Sequence, residues 1–224
     1  MFIGHLGVGL ALKRADRNIN VGILIFAALF FDFILGALVL LGVEHVVVPA
    51  NYRDLHYLTF SFPYSHGLLA AFLWSTLALL AAERVWPKGK QPGTRIPWII
   101  AVAVFSHFLT DLIVHVAEMP VAGARSYMLG LGLWNHLYAA LVLEGLLVVA
   151  GLTLYLKSAG NVGRPAKYGM ILFMIFLSAS AIIGQAISTV PPGPRALAVV
   201  WLVQAIVVAG IAFWLDRERP AVAA

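Results

Sequence analysis

The sequence has no cysteine, which excludes disulfide bridges and thiolate metal sites. Charge is scarce as well. Asp, Glu, Lys and Arg make up 11% of the residues, where soluble domains carry roughly a quarter, so water is not the main solvent of this chain. Internal repeats and low-complexity tracts are absent, and the connections between apolar runs are short. One structural domain is expected, with residues 1–157 as a membrane domain carrying any chemistry and 158–224 as two further spans. The last third lacks ionisable residues at membrane depth, because Asp32, Asp111 and Glu144 all precede residue 145 and all seven histidines lie between His5 and His136. The final two spans therefore read as scaffold, lipid-facing wall or oligomer contact.

What fills the chain is apolar: 62% of its 224 residues are hydrophobic. A helix crosses a bilayer with about 20 mostly apolar residues at 1.5 Å rise each. Stretches at about 19–42, 66–86, 96–117, 132–156, 168–190 and 195–215 meet that length. The run from Met1 to Leu12 is too short to cross, and its basic residues Lys13, Arg14 and Arg17 follow it. That order argues against a cleaved signal peptide. The expectation is an all-α integral membrane protein with six full transmembrane helices plus a short N-terminal half-helix.

The net charge of +5 is spread over short loops and forms no helical stripe, which argues against nucleic acid and suits a topology signal. Lys13, Arg14 and Arg17, then Arg84, Lys88, Lys90 and Arg95, then Lys157, Arg164 and Lys167, then Arg217 and Arg219 all fall on one set of alternate connections. The other set holds only Arg53, Arg125 and Arg195. The positive-inside rule makes the first set and the C-terminus cytoplasmic, in the cell (inner) membrane.

An ionisable side chain inside a span costs roughly 2.5 to 3.5 kcal/mol on insertion scales, so each one is a candidate for function. Asp32 stands in Leu-Phe-Phe-Asp-Phe-Ile-Leu, and His107, Asp111 and His115 recur every four residues along one helix face. Counting 1.5 Å per residue from the cytoplasmic ends places Asp32, His107, Asp111 and Glu144 at roughly 17 to 23 Å, and His66, His115 and His136 in a second layer at roughly 28 to 32 Å. A half-helix over residues 2–14, folded back on the first span, brings His5 to the first layer. Imidazoles mixed with carboxylates suit zinc and other divalent metals, whereas acids alone would suggest calcium or magnesium. His45 and His56, in the loop at about 43–65, read as solvated, and His136 as an interfacial residue.

The same residues carry a resemblance. Gly-His-Leu at 4–6, Phe-Phe-Asp at 30–32, Tyr-Ser-His-Gly-Leu-Leu at 64–69 and Ser-His-Phe-Leu-Thr-Asp at 106–111 resemble, in order, motifs of the uncharacterised membrane-bound metal-dependent hydrolases of bacteria and archaea. That pattern is in turn similar to the one in zinc-dependent phospholipases. The resemblance covers about the first 120 residues and implies metal ligands at His5, Asp32, His66, His107 and Asp111. Where the family often has Pro-Asp-Xaa-Asp, this chain has Phe-Asp-Phe-Ile and lacks the second acid.

The expected function is metal-assisted hydrolysis of a lipid or lipid-linked ester or phosphoester near the outer leaflet, with one divalent metal, zinc by preference. Glu144 or His115 would serve as general base or proton shuttle. Two alternatives stay open: an ion- or proton-coupled transporter, for which paired Gly or Pro interruptions or an inverted repeat would be expected and none is evident, and a non-catalytic membrane protein whose polar cluster fixes packing.

Overall fold

A computed structural model describes residues 1–86, 95–159 and 163–217, and the chain is nearly all-α. Its helices are α1 (Phe2–Leu12), α2 (Val21–Ala28), α3 (Phe30–Leu40), the single turn α4 (Tyr52–Leu55), α5 (Leu68–Val85), α6 (Ile96–Val114), α7 (Leu137–Ser158), α8 (Arg164–Ile187) and α9 (Pro194–Asp216). Two small antiparallel ribbons sit in the loops. β1 (His45–Val47) pairs with β2 (Thr59–Ser61), and β3 (Met119–Pro120) pairs with β4 (Met128–Leu129). Lys88, Lys90 and Arg219, counted above as topology signals, lie outside the described residues.

Among the described residues five helices, α5 to α9, are long and apolar enough to cross a membrane. The stretch at 19–42, expected as one span, is instead α2 and α3 meeting at a 49° bend, and the two pass the same test only when taken together. No proline or glycine stands at the bend. Its cause is tertiary: the Nδ1 of His107 lies 2.6 Å from the carbonyl oxygen of Ala28, and a side chain entering the helical hydrogen-bond ladder is a recognised origin of kinks.

Burial is uneven along the bundle. The window of α6 is 61% buried, while that of α8 is 11% buried, so α6 is the central helix and α8 an outer wall. Exposed Leu172, Ile175 and Phe176 on α8, and Leu69, Phe72 and Leu73 on α5, match the apolar surface that lipid contact requires. The short α1 is not peripheral. Its Ile3, Leu6 and Leu10 enter one core with Val148 and Tyr155 of α7, Met170 of α8 and Val208 of α9. Where α1 crosses α7, Gly7 and Gly151 face each other so closely that a Cβ on either would overlap the other helix's backbone.

At one end of the bundle, Lys13 turns inward. Its Nζ donates to Asp216 Oδ2 at 2.7 Å and to the Ile19 carbonyl at 2.8 Å, and the Val21 amide donates to the same carboxylate oxygen at 2.7 Å. Lys13 is 5% exposed, so a residue counted as a basic charge of a connection is a buried clasp joining α1, α2 and α9.

Candidate metal centre

Four separate segments deliver side chains to one buried point. α1 carries His5, the first turn of α3 carries Asp32, the turn before α5 carries His66, and α6 presents His107 and Asp111 on one face. Asp111 is the hub. Its Oδ1 lies 3.1 Å from His5 Nε2, and its Oδ2 lies 3.1 Å from His107 Nε2 and 3.5 Å from His66 Nε2. Asp32 Oδ1 is 3.8 Å from both His66 Nε2 and His107 Nε2. The Met1 amino nitrogen is 3.3 Å from Asp111 Oδ1. Among the described residues two three-residue sets, His5–Asp32–His107 and His66–His107–Asp111, are compact enough to hold a metal ion. A metal about 2.0–2.1 Å from each of four ligands places those ligands roughly 3.3–3.4 Å apart, and the observed spacings straddle that value.

The partners around the imidazoles suit tautomers protonated on Nδ1. His107 Nδ1 faces a backbone carbonyl, which accepts only, so Nδ1 is the protonated nitrogen and Nε2 presents a lone pair. The single proton of Thr110 Oγ1 is shared between the helix carbonyls of Ser106 at 2.9 Å and His107 at 3.0 Å, which leaves the oxygen to accept from His5 Nδ1 at 2.9 Å. Ser65 Oγ donates to Glu44 Oε2 at 2.6 Å and therefore accepts from His66 Nδ1 at 2.8 Å. Three rings are thus held from behind, each with an Nε2 lone pair turned on the same carboxylates. His66 Nε2 and His107 Nε2 approach to 3.1 Å, and His5 Nε2 is buried with no hydrogen-bond partner although Asp111 Oδ1 is near. Lone pairs facing lone pairs and carboxylates repel; a cation among them turns the repulsion into binding. The donor set of imidazole nitrogens and carboxylate oxygens fits zinc and neighbouring divalent ions.

His115 joins this cluster. Its Nε2 is 3.6 Å from Asp111 Oδ2, its Nδ1 is 2.7 Å from Glu118 Oε1, and its ring packs on Trp134 with centroids 4.1 Å apart. His66 and His115, counted into the second layer, therefore join the first, while His136 does not, because rise per residue measures distance along an axis and ignores helix tilt, the bend at Leu29 and the reach of the imidazoles. Glu144 stands apart from the two compact sets. Its Oε2 accepts from the amides of Ile3 at 3.1 Å and Gly4 at 3.3 Å, so it anchors the start of the helix that carries His5. His45 and His136 are exposed. His56 lies away from the cluster, with its Nδ1 3.1 Å from the Gln185 carbonyl.

Beside the cluster opens a cavity of about 450 Å³ onto which Asp32, His66, Asp111, His115 and Glu144 all face. Its other walls are Tyr52, Tyr57 and Phe60 of the 43–65 loop, Trp134, and residues of α8 and α9 including Gly184, Gln185, Trp201 and Gln204. The last two helices, expected as scaffold, therefore line the space in front of the site.

Sequence reasoning missed the supports behind the ligands. Ser65 stands next to His66 and Thr110 one residue before Asp111, and a hydroxyl so close to a candidate ligand was the available signal. Glu44, 21 residues from Ser65, gave none. Burial pushes its carboxyl above the usual carboxylate range, opposed by the Ser65 hydroxyl and by the Ser65 and Tyr64 amides. Comparison of the chain with protein-family models, with curated proteins and with solved structures finds no match.

Proposed function

We propose that the chain is a membrane-embedded hydrolase that uses one divalent metal, zinc by preference, on a lipid or lipid-linked ester. The observation that carries this reading is the set of imidazoles held at Nδ1 from behind, with Nε2 lone pairs converging on Asp111 and Asp32. His5, Asp32, His66, His107 and Asp111 are the ligands. When bound, such an ion lowers the pKa of a water toward about 7 and polarises the group to be cleaved. His115 takes the proton of the attacking water on Nε2, while Glu118 holds its Nδ1 proton and stabilises the imidazolium. Glu144 keeps α1, and with it His5, in place, and stands on the cavity wall as a second candidate base.

In this reading α5 to α9 are five spans, α2–α3 is a sixth, bent span, and α1 is a half-helix that reaches the site without crossing. The basic connections face the cytoplasm. Single cysteines at Asn51 and Lys157, both exposed, then label with impermeant maleimide from opposite sides of the membrane; labelling from one side overturns the orientation.

The activity is tested on purified protein loaded with zinc. His115→Ala is expected to keep its metal and lose hydrolysis of lipid esters by roughly 10²–10⁴-fold, the range for a removed general base. The bend beside Asp32 favours a second reading, since broken helices also build ion paths. Metal-loaded protein that cleaves no ester or phosphoester, yet conducts protons in vesicles, would establish that second reading instead.

A further inference from the structure

α2 and α5 both pack along α6, and between them lies a furrow of about 410 Å³ that shares no residue with the cavity at the metal centre. Ile23 and Phe26 stand on one side of it, Ala78 and Ala81 on the other, and Val104 of α6 between them. Among the described residues, no ionisable or hydroxyl side chain lines it. One end is closed by Phe30 and Trp74, whose rings meet edge to face with centroids 5.8 Å apart. Trp74 is held there by its Nε1, which donates to the Tyr64 carbonyl at 2.8 Å. From Trp74 to Trp86 the furrow follows α5 for roughly 18 Å. Its volume over that length amounts to a mean cross-section of roughly 23 Å². One extended hydrocarbon chain has that width, whereas a helix about 10 Å across presents roughly 80 Å².

The other end meets basic residues. It lies where α2 starts, α5 stops and α6 starts, and Arg14, Arg17, Arg84 and Arg95 are exposed around it. Arg84 falls three residues beyond Ala81 and seven beyond Leu77, which puts it on the face of α5 that lines the furrow. Among the described residues, none of the four arginines pairs with a carboxylate. The acids at this end are Asp16 and Glu83, both half-buried. Asp16 accepts from the Asn18 amide at 2.9 Å, and the charge of Lys13 is matched by Asp216.

We propose that the furrow binds one acyl chain of an anionic phospholipid, whose phosphate is held by Arg17 and Arg84. Water finds no polar partner inside the furrow and leaves it dry, so hydrocarbon fills it. Guanidinium groups take phosphate oxygens in pairs, and basic groups where spans reach the membrane surface retain anionic head groups. This site is independent of the proposed hydrolysis, and failure of either leaves the other standing.

The test places the full chain in phosphatidylcholine nanodiscs and replaces a rising share of the lipid with phosphatidylglycerol, or with phosphatidylcholine, brominated on the acyl chains. Bromine quenches tryptophan on contact, and Trp74 and Trp86 line the furrow. In the wild type, brominated phosphatidylglycerol is expected to reach half-quenching at a mole fraction roughly tenfold lower than brominated phosphatidylcholine. That difference should vanish when Trp74→Phe and Trp86→Phe are combined, because the reporters of the furrow are then gone. Combining Arg17→Gln with Arg84→Gln, both at exposed positions, should bring the two lipids within about twofold of each other. Equal half-points in the wild type overturn the inference without recourse to any variant. A preference that survives the tryptophan changes places the lipid elsewhere, and one that survives the arginine changes removes the head-group contact; either result also overturns it.

Discussion

Wild-type protein is expected to purify with close to one equivalent of zinc or a similar divalent ion, and Asp111→Asn and His107→Ala to lose most of it while still inserting and folding. Asp111 is the sharpest probe because its two oxygens stand within 3.6 Å of Nε2 of His5, His66, His107 and His115. Asparagine keeps nearly the same volume and removes the charge that holds the ion, so occupancy falls steeply and not in proportion. Ser65→Ala should give an intermediate result. It takes away the acceptor behind His66 Nδ1, and losing such a support weakens metal affinity by roughly 10–100-fold. His45→Ala, exposed and outside the cluster, should bind as the wild type does. Metal analysis of purified protein, followed by competition with a graded chelator, ranks the four variants. Absence of metal from the wild type even after reconstitution, or full retention by Asp111→Asn, ends the metal reading.

The second large effect is expected where α1 meets α7. Gly151→Leu should unfold the site without touching a ligand, because any side chain there is driven into the backbone at Gly7, and Gly7→Ala is driven into the backbone at Leu147 and Val148. Overpacking a tight contact costs about 1–3 kcal/mol even where side chains can yield, and backbone yields less. Helices in a bilayer rely on small residues for close approach, since lipid offers no hydrophobic drive for them to associate. Displacing α1 withdraws His5, so metal binding should fall together with the thermal midpoint. Gly145→Ala, on the same helix with nothing within 4 Å of its added Cβ, should leave both unchanged. A Gly151→Leu protein with wild-type melting and metal content would mean that α1 is not held where it appears.

Five apolar helices of membrane length, and the ionisable residues that cluster among the helices, were readable from the sequence because both follow from local composition: long apolar runs, and rare ionisable residues inside them. The structure brings His5, Asp32, His66, His107 and Asp111 within a few ångströms of one another. What could not be read depends on distant partners. The bend at Leu29 arises from a hydrogen bond between Ala28 and His107, 79 residues apart, with no local breaker to announce it. Glu44 sits in a polar loop and looks solvated until the fold places it under Ser65. Lys13 obeys the charge pattern of a loop residue, and only the return of Asp216 explains its burial. The role of α8 and α9 as cavity walls rests on side chains such as Gly184 and Gln204, which carry no signature in an apolar helix.

The clasp between Lys13 and Asp216 spans 203 positions of sequence. An ammonium withdrawn from water without its counter-charge is strongly unfavourable, so α1 rests in its groove only while α9 holds Asp216 beside Lys13. The pair thereby makes the position of α1, and with it that of His5, depend on a helix that contributes no residue to the His/Asp cluster.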